Sequence, residues 1–183
     1  MPRYIIHLKN TDFKPSDAKE LLRIARDLVA NDAIIRDLRV AKEHIELDVS
    51  IESSMLDKLL NELKKIAPLY RYREISDNAL RKEDAIKYTK ILFNEERYWE
   101  AHEVLESIWR ESNGYEKSTL QGIILICAAF VHMQKGEDDI AYIILNRALP
   151  KLKLDNYDSI DVKFIKSNVM KIIKNRVLEE FKI

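Results

Sequence analysis

The chain is poor in the residues that most folds use for special chemistry. Across 183 residues it holds one cysteine, three glycines and four prolines. A single thiol excludes an internal disulfide, and Cys127 lies in the apolar run Ile123 to Val131, where a buried, unreactive state is expected. Gly114, Gly122 and Gly136 stand alone, so no glycine-rich phosphate loop exists, and no serine sits in a GxSxG turn. Net charge is also missing, because 31 Lys and Arg balance 31 Asp and Glu. No bulk field therefore draws in phosphate backbones or anionic lipid, and nucleic acid is not a favoured partner. The run Gly122 to Val131 is too short to span a membrane, and Met1 to Tyr4 leads into a strand-like run without a signal-peptide pattern. A cytoplasmic protein with no membrane partner is expected. Abundant Lys, Glu and Ile resemble the usage of heat-adapted proteins and suggest a thermophile.

What is present divides into two parts, an α/β domain over residues 1–76 and an all-helical one over 77–183. In the first, Tyr4 to Leu8 reads as a strand, and Pro15-Ser16-Asp17 opens a helix with Leu21, Leu22, Ala25, Leu28 and Val29 on one face. Residues 34–40 and 44–51 read as a hairpin. Its second arm alternates Ile45, Leu47, Val49 and Ile51 with His44, Glu46, Asp48 and Ser50, which predicts one core face and one open face. Ser53-Ser54 starts a second helix ended by Pro68, and residues 69–75 form a fourth strand. The fold class is thus α+β, with a ferredoxin-like βαββαβ domain followed by a helical bundle. The open face lacks the paired aromatics of RNA-recognition motifs and is left as an interaction or dimer surface, making a homo-oligomer through either domain an expectation.

After a cap at Ser76-Asp77-Asn78, helices are predicted over 82–94, 96–111, 118–135, 138–149 and 160–181, the last capped by Asp158-Ser159 and the third central because it is apolar nearly all round. On the second, Tyr98, Ala101, Leu105, Ile108 and Trp109 share a face, with His102 on its margin, Glu106 and Trp99 just beyond, and Glu100 and Glu103 toward solvent. His102 and Glu106, four residues apart, converge on one small object. Gln121 and His132 on the third helix are eleven residues apart, about 16 Å, too far to share one ion.

The ordered motifs Phe93-Asn94, Tyr98-Trp99-Glu100-Ala101-His102-Glu103-Val104-Leu105-Glu106-Ser107-Ile108-Trp109, Leu120-Gln121-Gly122 and Ala128-Ala129-Phe130-Val131-His132 resemble the helical family called domain of unknown function 309, over about residues 82–150. The resemblance implies an all-helical fold and, for some members, the label of predicted metal-dependent hydrolase. Carried over by motif, it points to His102, Glu103, Glu106, Trp109, Gln121 and His132. The chain departs from the pattern with Glu96 where a glycine is usual and Leu125 where a glutamine is usual.

Three readings follow. In the first, Trp99, His102, Glu106, Trp109 and Gln121 form a polar network of structural role that ties two helices together. In the second, HEVLE stands in for a zincin HExxH: His102, Glu106 and His132 hold a divalent metal and Glu103 is the general base of a hydrolase acting on an unidentified small molecule. The third is a protein-interaction module of antiparallel helix pairs, without the 34-residue repeat of a solenoid.

Overall fold

The computed structural model describes residues 1–30, 32–75 and 80–183. The expected cap at Ser76-Asp77-Asn78 lies outside the described residues. The chain divides into two compact units, Met1–Asp77 with Gln134–Gly136, and Asn78–Met133 with Glu137–Ile183.

The first unit is a four-stranded antiparallel sheet with two helices. Strands β1 (Arg3–Lys9), β2 (Ile34–Val40), β3 (His44–Ser50) and β4 (Leu69–Glu74) run in the spatial order β2-β3-β1-β4. Helices α1 (Ala18–Val29) and α2 (Leu56–Leu63) each follow a short 3-10 turn, at Pro15–Asp17 and Ser53–Met55. Period-two alternation puts Ile45, Leu47 and Val49 of β3 and Ile6 and Leu8 of β1 in one core with Leu21, Ala25 and Val29 of α1 and Leu59, Leu60 and Leu63 of α2. In β2 a bulge between Ile35 and Asp37 shifts the register so that Asp37 lies opposite Asp48 and Arg39 opposite Glu46.

The expectation of an open face fails. His44, Glu46, Asp48 and Ser50 are all buried, none more than 3% exposed. Burial is tolerable because cross-strand partners answer each charge, so alternation reported two faces without saying that one was wet.

The second unit is helical: α3 (Lys82–Asn94), α4 (Tyr98–Glu111), α5 (Gly114–Met133), α6 (Asp138–Ala148) and α7 (Val162–Asn175). Consecutive helices α3 through α6 pack on one another. The central α5 buries Leu120, Ile123, Ile126, Cys127, Ala129 and Phe130 completely. Among the described residues no helix is long and apolar enough to cross a membrane.

Several boundaries differ from expectation. Helix α4 begins at Tyr98 because Glu96 adopts a left-handed φ of 58° and interrupts the helical path. Helix α5 begins earlier than predicted, at Gly114 with φ 57°, and the Lys117 N–H already donates to Asn113 O. A two-stranded ribbon, β5 (Asn156–Tyr157) and β6 (Ile160–Asp161), occupies a stretch expected to hold no strand, and Asp158 and Ser159 form its turn. Asp161 caps α7 instead, accepting from Phe164 N at 2.8 Å. The last helix ends at Asn175, well before 181, because Arg176 turns left-handed at φ 55°. The chain then returns, placing Phe181 beside Phe93, Phe130 and Phe164, and Asn94 exchanges two hydrogen bonds with the Ile183 backbone, 2.7 and 2.9 Å long.

Gly122 is the closest approach in this unit: a Cβ there would stand 2.6 Å from Leu152 Cδ2 and 3.3 Å from the Ala148 carbonyl oxygen. Gly122→Ala should therefore lower stability by about 1 to 3 kcal/mol through overpacking, despite the helix propensity gained. Urea denaturation measures it, and a variant as stable as wild type would show that Leu152 moves aside freely.

Candidate functional site

The residues singled out by sequence lie on α4 and α5. The amphipathic pattern of α4 buries Tyr98, Ala101, Leu105 and Ile108, leaving His102 and Glu106 half-buried at the edge of that face and Glu103 exposed. His102 Nε2 lies 3.3 Å from Glu106 Oε1, while its Nδ1 lies 3.4 Å from the Ile124 carbonyl on α5. Both neighbours are acceptors, so a doubly protonated ring donates to both and a neutral ring to one. Lys117 Nζ sits 4.6 Å from the centroid of the Trp109 ring, a cation–π contact between α5 and α4.

The remaining expected residues do not join this pair. His132 Nδ1 donates to Glu137 Oε2 at 2.6 Å, and His132 is eight residues along α5 from Ile124, about 12 Å of helix rise. The Trp109 indole N–H is buried with no hydrogen-bond partner among the described residues, and no hydrogen bond there joins Gln121 to His102, Glu106 or Trp109. Trp99 is half-buried. Glu100, expected toward solvent, is fully buried. Arg97 holds it in a fork, Nε to Oε1 at 2.6 Å and Nη2 to Oε2 at 2.8 Å. Burial works against the Arg97 charge, but the bonds to Glu100 outweigh it and hold the guanidinium above its usual value.

A cavity of about 310 Å³ opens elsewhere in this unit, lined by Lys82, Glu111, Ser112, Glu116 and four others. None of the expected site residues lines it. Its Glu116 pairs with Lys82 and accepts from Tyr157 Oη at 2.9 Å. The bond from Lys82 holds the carboxyl below its ordinary range. Cys127 is fully buried, and burial pushes its thiol up to about 12, which leaves it no nucleophilic role.

The densest polar cluster lies on the first unit's sheet. Glu46 accepts from His7 Nε2 at 3.0 Å on one oxygen and from Arg39 on the other. Arg39 also reaches Asp37 at 3.3 Å, and Arg3 forks Asp48 at 2.8 and 2.5 Å. Arg36 donates to Ser50 at 3.0 Å. The His7 and His44 rings meet edge to face with centroids 4.7 Å apart. Among the described residues, His7, His44 and Glu46 bring three potential metal-ligating side chains together, their ligand atoms all within 4.8 Å. In the sequence His44 stands out only as part of the strand alternation, and His7 lies in the first strand. The signal that could have found the cluster was the i, i+2 spacing of His44 and Glu46 on one strand face.

Similarity to known proteins falls on the helical unit. Residues 86–144 match the family model described as Domain of unknown function (DUF309). The matched segment runs from α3 into α6 and contains every residue of the HEVLE cluster, Gln121 and His132. A conserved hypothetical protein from Thermus thermophilus is similar in structure, with 25% sequence identity, 53% of this chain and 99% of that chain covered, and a TM-score of 0.42. No curated protein matches the chain.

Burial alone would raise the Glu46 carboxyl, but Arg39 and His7 outweigh it and bring it down to about 2. A carboxyl lowered on folding adds stability that is complete above its unfolded value of 4.5 and is lost as pH falls toward 2. Glu46→Gln, which leaves the Arg39 charge short of one partner, should cost about 3 kcal/mol at neutral pH. The gap to wild type should narrow in urea melts below pH 4.5. An equal gap at both pH values would contradict this account.

Proposed function

We propose that the helical unit is a scaffold of consecutive antiparallel hairpins, in which His102 and Glu106 brace α4 against α5, and that its role is to present surfaces for binding rather than to hydrolyse a substrate. The observation that carries this reading is the engagement of His132 by Glu137, about 12 Å of helix rise beyond the level of His102, which leaves His102 and Glu106, among the described residues, as a pair without the third ligand a catalytic zinc site uses. The exposure of Glu103 agrees, since a general base must reach the water it activates. The sequential packing of α3, α4, α5 and α6 is that of antiparallel helix pairs. For the first unit, the antiparallel order β2-β3-β1-β4 with α1 and α2 in one core supports a ferredoxin-like assignment.

One observation favours the hydrolase reading. The Nδ1 of His102 faces a backbone carbonyl while Nε2 faces a carboxylate, which is how a metal-ligating histidine is commonly oriented. A divalent ion bound between Nε2 and Glu106, with water completing its shell, would be the cofactor in that case.

His102→Ala separates the two readings. The scaffold reading expects a loss of about 1 to 3 kcal/mol, from partners left without a donor, and metal content by elemental analysis equal to that of wild type. Metal lost together with turnover of a generic phosphoester or ester would establish the hydrolase instead.

A further inference from the structure

We propose that His7, His44 and Glu46 form a binding site for one divalent transition-metal ion, of the zinc, cobalt or nickel class, on the sheet of the first unit. The three side chains come from the two central strands. His44 and Glu46 share a face of β3, and the pairing register sets His7 of β1 directly across from Glu46. Backbone ladders fix that register, so the ligands are preorganised on rigid elements rather than gathered from loops.

The donor set fits the ion class. Two imidazoles and one carboxylate make a mixed nitrogen and oxygen triad, which suits borderline divalent ions and disfavours calcium or magnesium, whose shells are oxygen. The spacing fits as well. Tetrahedral bonds of 2.0 to 2.1 Å place ligand atoms about 3.4 Å apart. His7 Nε2 and Glu46 Oε2 stand at 3.0 Å, and every ligand atom of the triad is within 4.8 Å of the others. The ion takes the place of the hydrogen between His7 Nε2 and Glu46 Oε2, and the neutral imidazole that ligates through Nε2 carries its hydrogen on Nδ1.

The surroundings supply the supporting shell. Arg39 holds Oε1 of Glu46, and Oε2, the oxygen facing His7, serves as the ligand. A carboxylate oriented by a guanidinium on its distal oxygen is set in place before the ion arrives. All three ligands are buried, at 1%, 3% and 3% exposure, so an ion held here would be slow to leave.

The test uses the full chain, stripped with chelator, and CoCl2 or ZnCl2 alone as probe. The expected results are saturable binding of about one ion per chain, a visible ligand-field spectrum with cobalt and a raised Tm. His44→Asn leaves the His7, Glu46 and Arg39 bonds intact, so circular dichroism should show it folded, and its affinity should fall by about tenfold or more. His7→Asn should do the same. His102→Asn and His132→Asn, which remove the other two histidines, should bind like wild type. Failure of the wild-type chain to take up either ion at roughly millimolar metal, or wild-type affinity in a folded His44→Asn chain, would overturn the proposal.

Discussion

A carboxylate buried at the middle of a β-sheet must find its counter-charge on an adjacent strand, and the first unit is organised around that requirement. Glu46 sits on β3 with β1 on one side and β2 on the other, and each neighbour delivers one donor, His7 and Arg39. The bulge in β2 aligns Arg39 with Glu46, and Arg39 is thereby in reach of Asp37 as well. A one-residue slip of either neighbour would turn its donor to the opposite face and leave the carboxylate unanswered. Desolvation of these charges is costly, and their mutual pairing offsets it without guaranteeing a surplus. What the arrangement secures is a single register, a role buried polar groups fill in other folds too.

The helical unit rests on the opposite principle. Its centre is α5, apolar almost all round, and α4 and α6 pack against it through Ala101, Leu105, Ala141 and Leu145, each fully buried. Gly122 lets Leu152 approach where any side chain would collide. The aromatic group of Phe93, Tyr98 and Phe130 is completed from far along the chain by Phe181. That return follows from Arg176: a helix continued past Asn175 would carry Phe181 away from these rings. Its one buried ion pair among the described residues is the Arg97 and Glu100 fork at the start of α4, buried hydroxyls such as Thr89 and Ser112 bond to helix carbonyls, and His102 and Glu106 meet at the margin.

Periodicity in the sequence carried most of the architecture. Apolar residues at spacings of two and of three to four located the four long strands and the seven α-helices among the described residues, because burial of one face imposes those periods. The misses have two causes: helix ends were set by local left-handed residues such as Glu96 and Arg176, and buried charges by pairings that no pattern announces. Arg97 and Glu100 stand three residues apart, a spacing that permits a pair but does not say that it is buried, and nothing near His44 announces Arg39 or His7. Glu96 is instructive, since the family resemblance marks its position as usually glycine, and the left-handed φ found there explains why glycine is favoured. Of the candidate site, the His102 and Glu106 pair was legible as an i, i+4 spacing. The engagement of His132 by Glu137 was not, because it forms across the turn that follows α5.

The burial of Cys127 has a practical consequence. As the only thiol, placed mid-helix in the innermost element, it stays hidden from solvent until α5 is exposed. A thiol reagent thus reads the opening of one unit and ignores the other, so its labelling rate is a clock for the helical core alone.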